Sequence, residues 1–428
     1  MTEPSGLPLG TELELTVGGP AHGGACVARH EGRVVFVRHA LPGERVRAAV
    51  TEDRGGSFLR ADAIEVLAAS DDRVEAPCPY AGPARCGGCD WQHASGPAQR
   101  RIKAAIVREQ FERLAGLEVP VDSAEELPGG LLGWRTRVAY AVDADGRPGL
   151  HRHRSSEIEH VAACPLGVPG VGDSDVLGAR WPGLLAVEPV RGDDGTVAVV
   201  GHRPGAPRRG RGRRPPDRLE VLSGPAALEH QVGGHVLRAA AHGFWQVHPA
   251  AVATLGGALL DAVSPRPGER VLELYAGAGA LTVLLADAVG PTGAVDGVES
   301  ARAAVSDAAG NLEQLPWATI RPGRVDAALV AAAGAVDLVV LDPPRAGAGA
   351  AVMRAAISLG PRAIGYVSCD PATLARDVRA ALDAGWRLAG LRVFDAFPMT
   401  HHIECVAVLE PEPARSGSGV PDAPVNPS

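Results

Sequence analysis

A cysteine and a glutamate in this chain are placed where one sheet could bring them together. Cys369 lies in Tyr366-Val-Ser-Cys-Asp-Pro-Ala-Thr373, just past a run from Ala363 to Val367 that reads as a strand. Glu404 follows 35 residues later in His401-His-Ile-Glu404. A thiolate beside a carboxylate base suits nucleophilic catalysis at an electron-poor ring carbon. Addition of a thiolate to one carbon of such a ring makes the neighbouring carbon nucleophilic, and a base must later remove a proton from that neighbour so that the thiolate can leave. Such a thiol needs a lowered pKa, and Pro371-Ala-Thr-Leu-Ala-Arg-Asp377 is expected to begin a helix whose N-terminus supplies it. The plainer alternatives are a small core residue for Cys369 and a solvated strand face for Glu404.

Upstream, Glu269-Arg-Val-Leu-Glu-Leu-Tyr-Ala-Gly-Ala-Gly-Ala280 reads as a strand running into a glycine turn, with a helix from Leu281 to Ala288. Gly277 and Gly279 let backbone approach a ligand, and the helix N-terminus offers free N–H groups. The dinucleotide fingerprint is incomplete, because Thr282 stands at its third glycine position. A second strand, Gly293 to Glu299, ends in an acid 20 residues after Gly279, suited to ribose hydroxyls.

Four more cysteines form a separate set: Cys78, then Cys86-Gly-Gly-Cys89, then Cys164-Pro165 far downstream. Two close thiolates and two remote ones suit zinc or a 4Fe–4S cluster, and spacing alone does not choose. Cys26 and Cys405 read as small buried residues.

These residues need elements to hold them. At 428 residues with 46% hydrophobic content, two or three domains are expected. Residues 5–68 read as short strands of a small barrel, among them Thr11 to Val17, Arg33 to Arg38, Glu44 to Val50 and Arg60 to Val66, with a glycine-rich turn at His22 to Ala25. Residues 76–240 hold the cysteines, an amphipathic helix from about Pro97 to Leu114 with Ile102, Ile106 and Phe111 on one face, and a mostly β segment. From 241 to 410 strands and helices alternate, the mark of an α/β sheet. The tail, 411–428, is rich in Pro, Ser and Gly and expected to be disordered.

The net charge of −8 argues mildly against nucleic acid, but its distribution matters more. Arg203 to Arg218 carries seven arginines, and reads as either a mobile loop or an RNA contact. Lysine occurs once, at Lys103, in the cluster Gln99-Arg-Arg-Ile-Lys103, expected to be a solvated helix face. With neither a signal peptide nor an apolar run of membrane-spanning length, a cytoplasmic location and no membrane partner are expected.

Together the Cys369 segment, Glu404, the glycine turn and Asp342-Pro-Pro-Arg345 resemble the RNA 5-methyluridine methyltransferase family over most of the chain. The resemblance implies a C-terminal class I (Rossmann-like) sheet binding S-adenosylmethionine, an N-terminal OB-like TRAM β-barrel and a mostly β central domain. It implies Cys369 as nucleophile, Glu404 as base, and Gln246, Tyr275, Gly277, Gly279, Glu299 and Asp342 at the cofactor. It also implies that Cys78, Cys86, Cys89 and Cys164 hold a 4Fe–4S cluster, and that a monomer acts on ribosomal RNA or tRNA. The sequence departs from the family where His248 and Ala280 replace Asn, and where Asp370 replaces Asn beside the thiol. That extra charge should raise the thiol pKa unless Arg345 or Arg376 pairs with it.

Overall fold

Alternation decides the N-terminal strands. In Glu12–Thr16, Leu13 and Leu15 are buried while the residues between them face solvent, the two-residue period of a sheet with one wet face. The computed structural model describes residues 6–205 and 217–413. Most of the arginine-rich run and nearly all of the tail lie outside these residues. Among those described, the first sheet orders Glu12–Thr16, Arg45–Asp53, Phe58–Ala68, Arg33–Arg38, Ala25–His30 and Pro20–Ala21. No ladder among the described residues joins its two outer strands, so the expected barrel is a sheet with two ends. Gly18 N nevertheless donates to Val27 O and Val27 N to Gly19 O, drawing the link after the first strand onto Ala25–His30.

The helix Gly96–Ala115 begins where Ser95 accepts from Ala98 N at 3.4 Å, and ends at Gly116 with φ of 68°. These are ordinary start and stop devices. Its buried face carries Ile102, Ile106 and Phe111 into one core with Leu374, Ala375 and Val378 of the helix Pro371–Leu382. Gln99 and Lys103 are buried on it as well, both at 0% exposure. The solvated face expected for Gln99 to Lys103 is therefore limited to Arg100 and Arg101, which pair outward with Glu126 and Asp72.

A six-stranded antiparallel sheet follows, from Tyr140–Val142 to Arg218–Ser223, and then the hairpin Ala227–Val232 with His235–Ala240. The last sheet begins at Arg270–Leu274. Its seven strands in chain order are Arg270–Leu274, Ala294–Glu299, Ala318–Pro322, Leu338–Leu341, Ala363–Ser368, Trp386–Asp395 and Glu404–Pro411; numbered so, their order in the sheet is 3-2-1-4-5-7-6, with Glu125–Glu126 added at one edge. Strands one to five are parallel, and Glu404–Pro411 is antiparallel to both its neighbours. The central strands Leu338–Leu341 and Ala363–Ser368 are buried at every residue. Helices cover both faces of the sheet, so these strands are apolar throughout rather than alternating. No helix among the described residues is long and apolar enough to cross a membrane.

Candidate active site

Register brings the chemistry together. Leu341 pairs with Tyr366, and Ser368 with Cys405. Asp342 and Cys369, each one residue past its strand, and Glu404, the first residue of Glu404–Pro411, thus stand on three neighbouring strands at one end of the sheet. Leu274 pairs with both Leu341 and Val298, so Tyr275 and Glu299 emerge at that end too. This is the carboxyl edge of the parallel strands, beside the point where strand order reverses, and open α/β sheets bind their ligands there.

Cys369 directly precedes the helix Pro371–Leu382, as expected. Asp370 caps that helix, its Oδ1 accepting from Ala372 N at 3.0 Å and Thr373 N at 2.9 Å. The thiol itself is not activated in this state. Burial pushes it up to about 11, with Glu404 adding to the rise and Arg345 opposing it. Neither arginine proposed for Asp370 reaches it. Arg345 donates to His402 Nδ1 at 2.7 Å, and the partner of Asp370 Oδ2 is His22 Nε2, 3.4 Å away in the N-terminal sheet's glycine turn. Glu404 is only 3% exposed, which rules out a solvated strand face, and burial holds its carboxyl well above the usual range. Asp342, half-buried at its strand end, is raised to about 7 by desolvation.

The glycine turn is built for close approach. Tyr275, Gly277 and Gly279 all have positive φ, at 67°, 57° and 93°. The helix Ala280–Val289 has no side-chain cap at Gly279, which leaves its first N–H groups for a ligand. Glu299 Oε2 accepts from Gly277 N at 3.0 Å and its Oε1 from Ala301 N at 2.6 Å, tying the acid to the turn. Thr282, the residue that breaks the dinucleotide fingerprint, has its own task. Its buried hydroxyl donates to Glu273 Oε2 at 2.5 Å, and Glu273 is pushed up to about 8 by burial. Gln246 lies half-buried before the helix Ala251–Val263. Two residues on, His248 Nδ1 accepts from Ala250 N at 3.1 Å while the ring stacks on Trp134. These features fit S-adenosylmethionine: a glycine cradle, uncapped N–H groups and an acid on the second strand.

Sequence reasoning missed Asp377. Its carboxylate accepts from Tyr366 Oη at 2.7 Å, Ala348 N at 2.8 Å and Gly349 N at 3.1 Å, fixing the loop after Asp342-Pro-Pro-Arg345. An acid on the same helix face as Leu374, Val378 and Ala381 was the available sign.

Cys78, Cys86, Cys89 and Cys164 line one cavity with Tyr80, Leu150, Val161, Leu166 and Arg135. Burial pushes Cys89 up to about 12 and raises Cys86 and Cys164, so metal binding would have to release protons. Among the described residues no three His, Cys, Asp or Glu side chains converge closely enough to hold a single ion. The thiols instead surround a shared space.

Fold and site together define a class I S-adenosylmethionine-dependent methyltransferase carrying an N-terminal TRAM domain. The TRAM domain model matches residues 8–64, and the tRNA (uracil-5-)-methyltransferase model matches residues 328–412. A protein-L-isoaspartate(D-aspartate) O-methyltransferase model matches residues 248–332, the stretch with the glycine turn. A Streptomyces avermitilis protein named an uncharacterized RNA methyltransferase is 47% identical, over 94% of this chain and 99% of its own. The 23S rRNA (uracil(1939)-C(5))-methyltransferase RlmD of Alkalilimnicola ehrlichii is 34% identical, over 94% of this chain and 97% of its own. The fold matches the Pyrococcus abyssi tRNA (uracil-54, C5)-methyltransferase, solved with S-adenosyl-L-homocysteine, at a TM-score of 0.67 and 20% identity, covering 93% of this chain and 100% of that one. The chain belongs to the family of S-adenosylmethionine-dependent RNA (uracil-5-)-methyltransferases.

Proposed function

We propose that this protein methylates carbon 5 of a uridine in ribosomal RNA through a covalent adduct on Cys369. The observation that carries the reading is the register: Cys369 and Glu404 face each other across the sheet one step beyond the Ser368–Cys405 pair. The 23S rRNA enzyme similar along nearly the whole chain supports the substrate. The target base must leave its stack to expose both ring carbons.

In this mechanism Cys369 loses its proton and its sulfur bonds to carbon 6, leaving an enolate. Bound S-adenosylmethionine supplies an electrophilic methyl group. Tyr275, Gly277, Gly279, Glu299, Gln246 and Asp342 would hold the cofactor against the carbon that accepts it. Carbon 5 would form its new bond to the methyl group as the methyl–sulfonium bond breaks and S-adenosyl-L-homocysteine leaves; Glu404 then takes the carbon 5 proton, and the carbon 6–sulfur bond breaks to return the thiolate. Burial suits Glu404 to that step, because a carboxylate held well above the usual pKa is a stronger proton acceptor.

The cavity of Cys78, Cys86, Cys89 and Cys164 would hold a 4Fe–4S cluster. All four thiols line that one cavity, and four cysteine ligands are what such a cluster needs. Methyl transfer to an activated uracil moves no electron, so the cluster's part is structural.

The test uses anaerobically purified protein, methyl-labelled S-adenosylmethionine and unmodified total RNA, with nucleosides analysed by mass spectrometry and fragments mapped to their parent RNA. Labelled 5-methyluridine in large-subunit RNA is expected from the wild type and none from Cys369→Ala. Label in tRNA would move the substrate, and product from the variant would refute the covalent route.

A further inference from the structure

The residue that meets Asp370 comes from the opposite end of the chain. His22 stands in the turn between Pro20–Ala21 and Ala25–His30. Gly24 has φ of 84°, and a Cβ there would lie 2.6 Å from Asp90 Cγ, so only glycine lets the turn dock on this carboxylate. Docked in this way, His22 Nε2 comes within 3.4 Å of Asp370 Oδ2. Asp370 divides its oxygens: Oδ1 is spent on the N–H groups of Ala372 and Thr373, and Oδ2 faces the imidazole.

We propose that His22 is a positioning residue for the Cys369 nucleophile, offsetting through Asp370 the negative charge that this aspartate sets beside the thiol. This inference rests on the reading of Cys369 as nucleophile. Cys369 is surrounded by Glu404, Asp342 and Asp370, which disfavour the thiolate, and by Arg345, which favours it. An imidazolium on Asp370 removes one of the three opposing charges. His22 faces Asp370, His401, Arg345 and Glu109, and burial outweighs Asp370 in setting its pKa, which lies below the usual imidazole value. The cation is therefore present only at pH below the usual imidazole range and absent above it. Thiolate formation favours imidazolium in return, since the two charges are linked. A glycine turn of the TRAM sheet thus contributes directly to the catalytic end of the molecule.

The test reads the thiol alone. The complete protein is treated with methyl methanethiosulfonate from about pH 4 to about pH 9, a range extended on the acid side because burial lowers the imidazole pKa, and modification of the Cys369 peptide is followed by mass spectrometry. His22→Gln should react about threefold more slowly than wild type at the acid end, the equivalent of about half a pKa unit in the thiol, and at the same rate at the alkaline end. His22→Lys keeps a cation at every pH and should hold the faster rate throughout. In an Asp370→Asn background, where the cap is retained, His22→Gln should change nothing. Equal rates for His22→Gln and wild type at every pH would overturn the proposal, as would a His22→Gln effect that persists in the Asp370→Asn background. Neither RNA nor methyl donor enters the assay. Failure here would leave the methyl-transfer reading standing, whereas methyl transfer by Cys369→Ala would overturn the covalent route whatever the thiol assay reads.

Discussion

Lys103 is the only lysine in a chain whose other basic side chains, histidine aside, are all arginine, and it is completely buried. Its Nζ donates to Asp395 Oδ1 at 2.5 Å and to Phe397 O at 2.9 Å. Asp395 is 1% exposed, and its other oxygen, Oδ2, has no hydrogen-bond partner. Replacing Lys103 by Met therefore leaves a buried carboxylate with neither its countercharge nor an alternative donor. Removing one member of such a pair costs about 3–5 kcal/mol, whereas replacing both by apolar residues of similar volume is near neutral. Lys103→Met should lose about 3–5 kcal/mol in urea unfolding, and Lys103→Met with Asp395→Leu should recover most of it at an unchanged m-value. Lys103→Arg keeps the charge but forces a larger head into a packed site, and is expected to cost about 1–3 kcal/mol. A loss under about 1 kcal/mol for Lys103→Met, or a double variant no more stable than the single one, would refute the argument that one ammonium holds this charge.

Glu404→Gln should slow release of methylated RNA by about 10²–10⁴-fold while a protein–RNA adduct survives denaturing electrophoresis; normal turnover would place the base elsewhere. Glu273 has a folded pKa raised to about 8, so its contribution is complete below about pH 4.5 and is lost as pH rises towards 8. That loss is on the order of 5 kcal/mol, and Glu273→Gln should gain stability over wild type between pH 5 and pH 8; parallel urea midpoints would refute it. Cys89→Ala should leave protein that binds less iron and acid-labile sulfide than wild type, which elemental analysis checks, while unchanged metal content would remove Cys89 from the set.

The candidate catalytic pair was legible because each residue sits in a local pattern: an apolar run ending just before Cys369, and an apolar strand beginning at Glu404. The parallel strands were legible for the same reason, as in Leu338–Leu341, where burial on both faces demands an unbroken apolar run. What could not be read was everything that depends on distant contact. Lys103 and Asp395 are 292 positions apart, and periodicity alone places that lysine on a wet face. Local reasoning points to nearby arginines as partners of Asp370, although the fold supplies a histidine from the N-terminal sheet. The strand Ala25–His30 escapes sequence reading because its burial does not alternate cleanly. Glu273 gives no local sign at all, since a glutamate amid Val271, Leu272 and Leu274 acquires meaning only once Thr282 is seen bonded to it.

These distant contacts share a centre. The loop between Trp386–Asp395 and Glu404–Pro411 delivers Glu404, and most of what fixes that loop comes from residues 90 to 103. Met399 O accepts from Asp90 N and Trp91 N, Met399 N donates to Gln99 Oε1 at 2.7 Å, and Phe397 O accepts from Lys103. Asp90 also accepts from His401 N and His401 Nδ1 at 3.0 and 2.7 Å, meets Arg38 of the first sheet at 3.5 Å, and receives the turn at Gly24. It directly follows Cys89, whose thiol lines the four-cysteine cavity. One carboxylate thus joins the TRAM sheet, the cysteine segment and the loop carrying the candidate base. A group bound by those cysteines needs no redox part in the reaction to matter for it. Because Cys89 and Asp90 are consecutive, any group bound at that cavity would act on the one carboxylate at which the turn carrying His22 and the loop carrying Glu404 both meet.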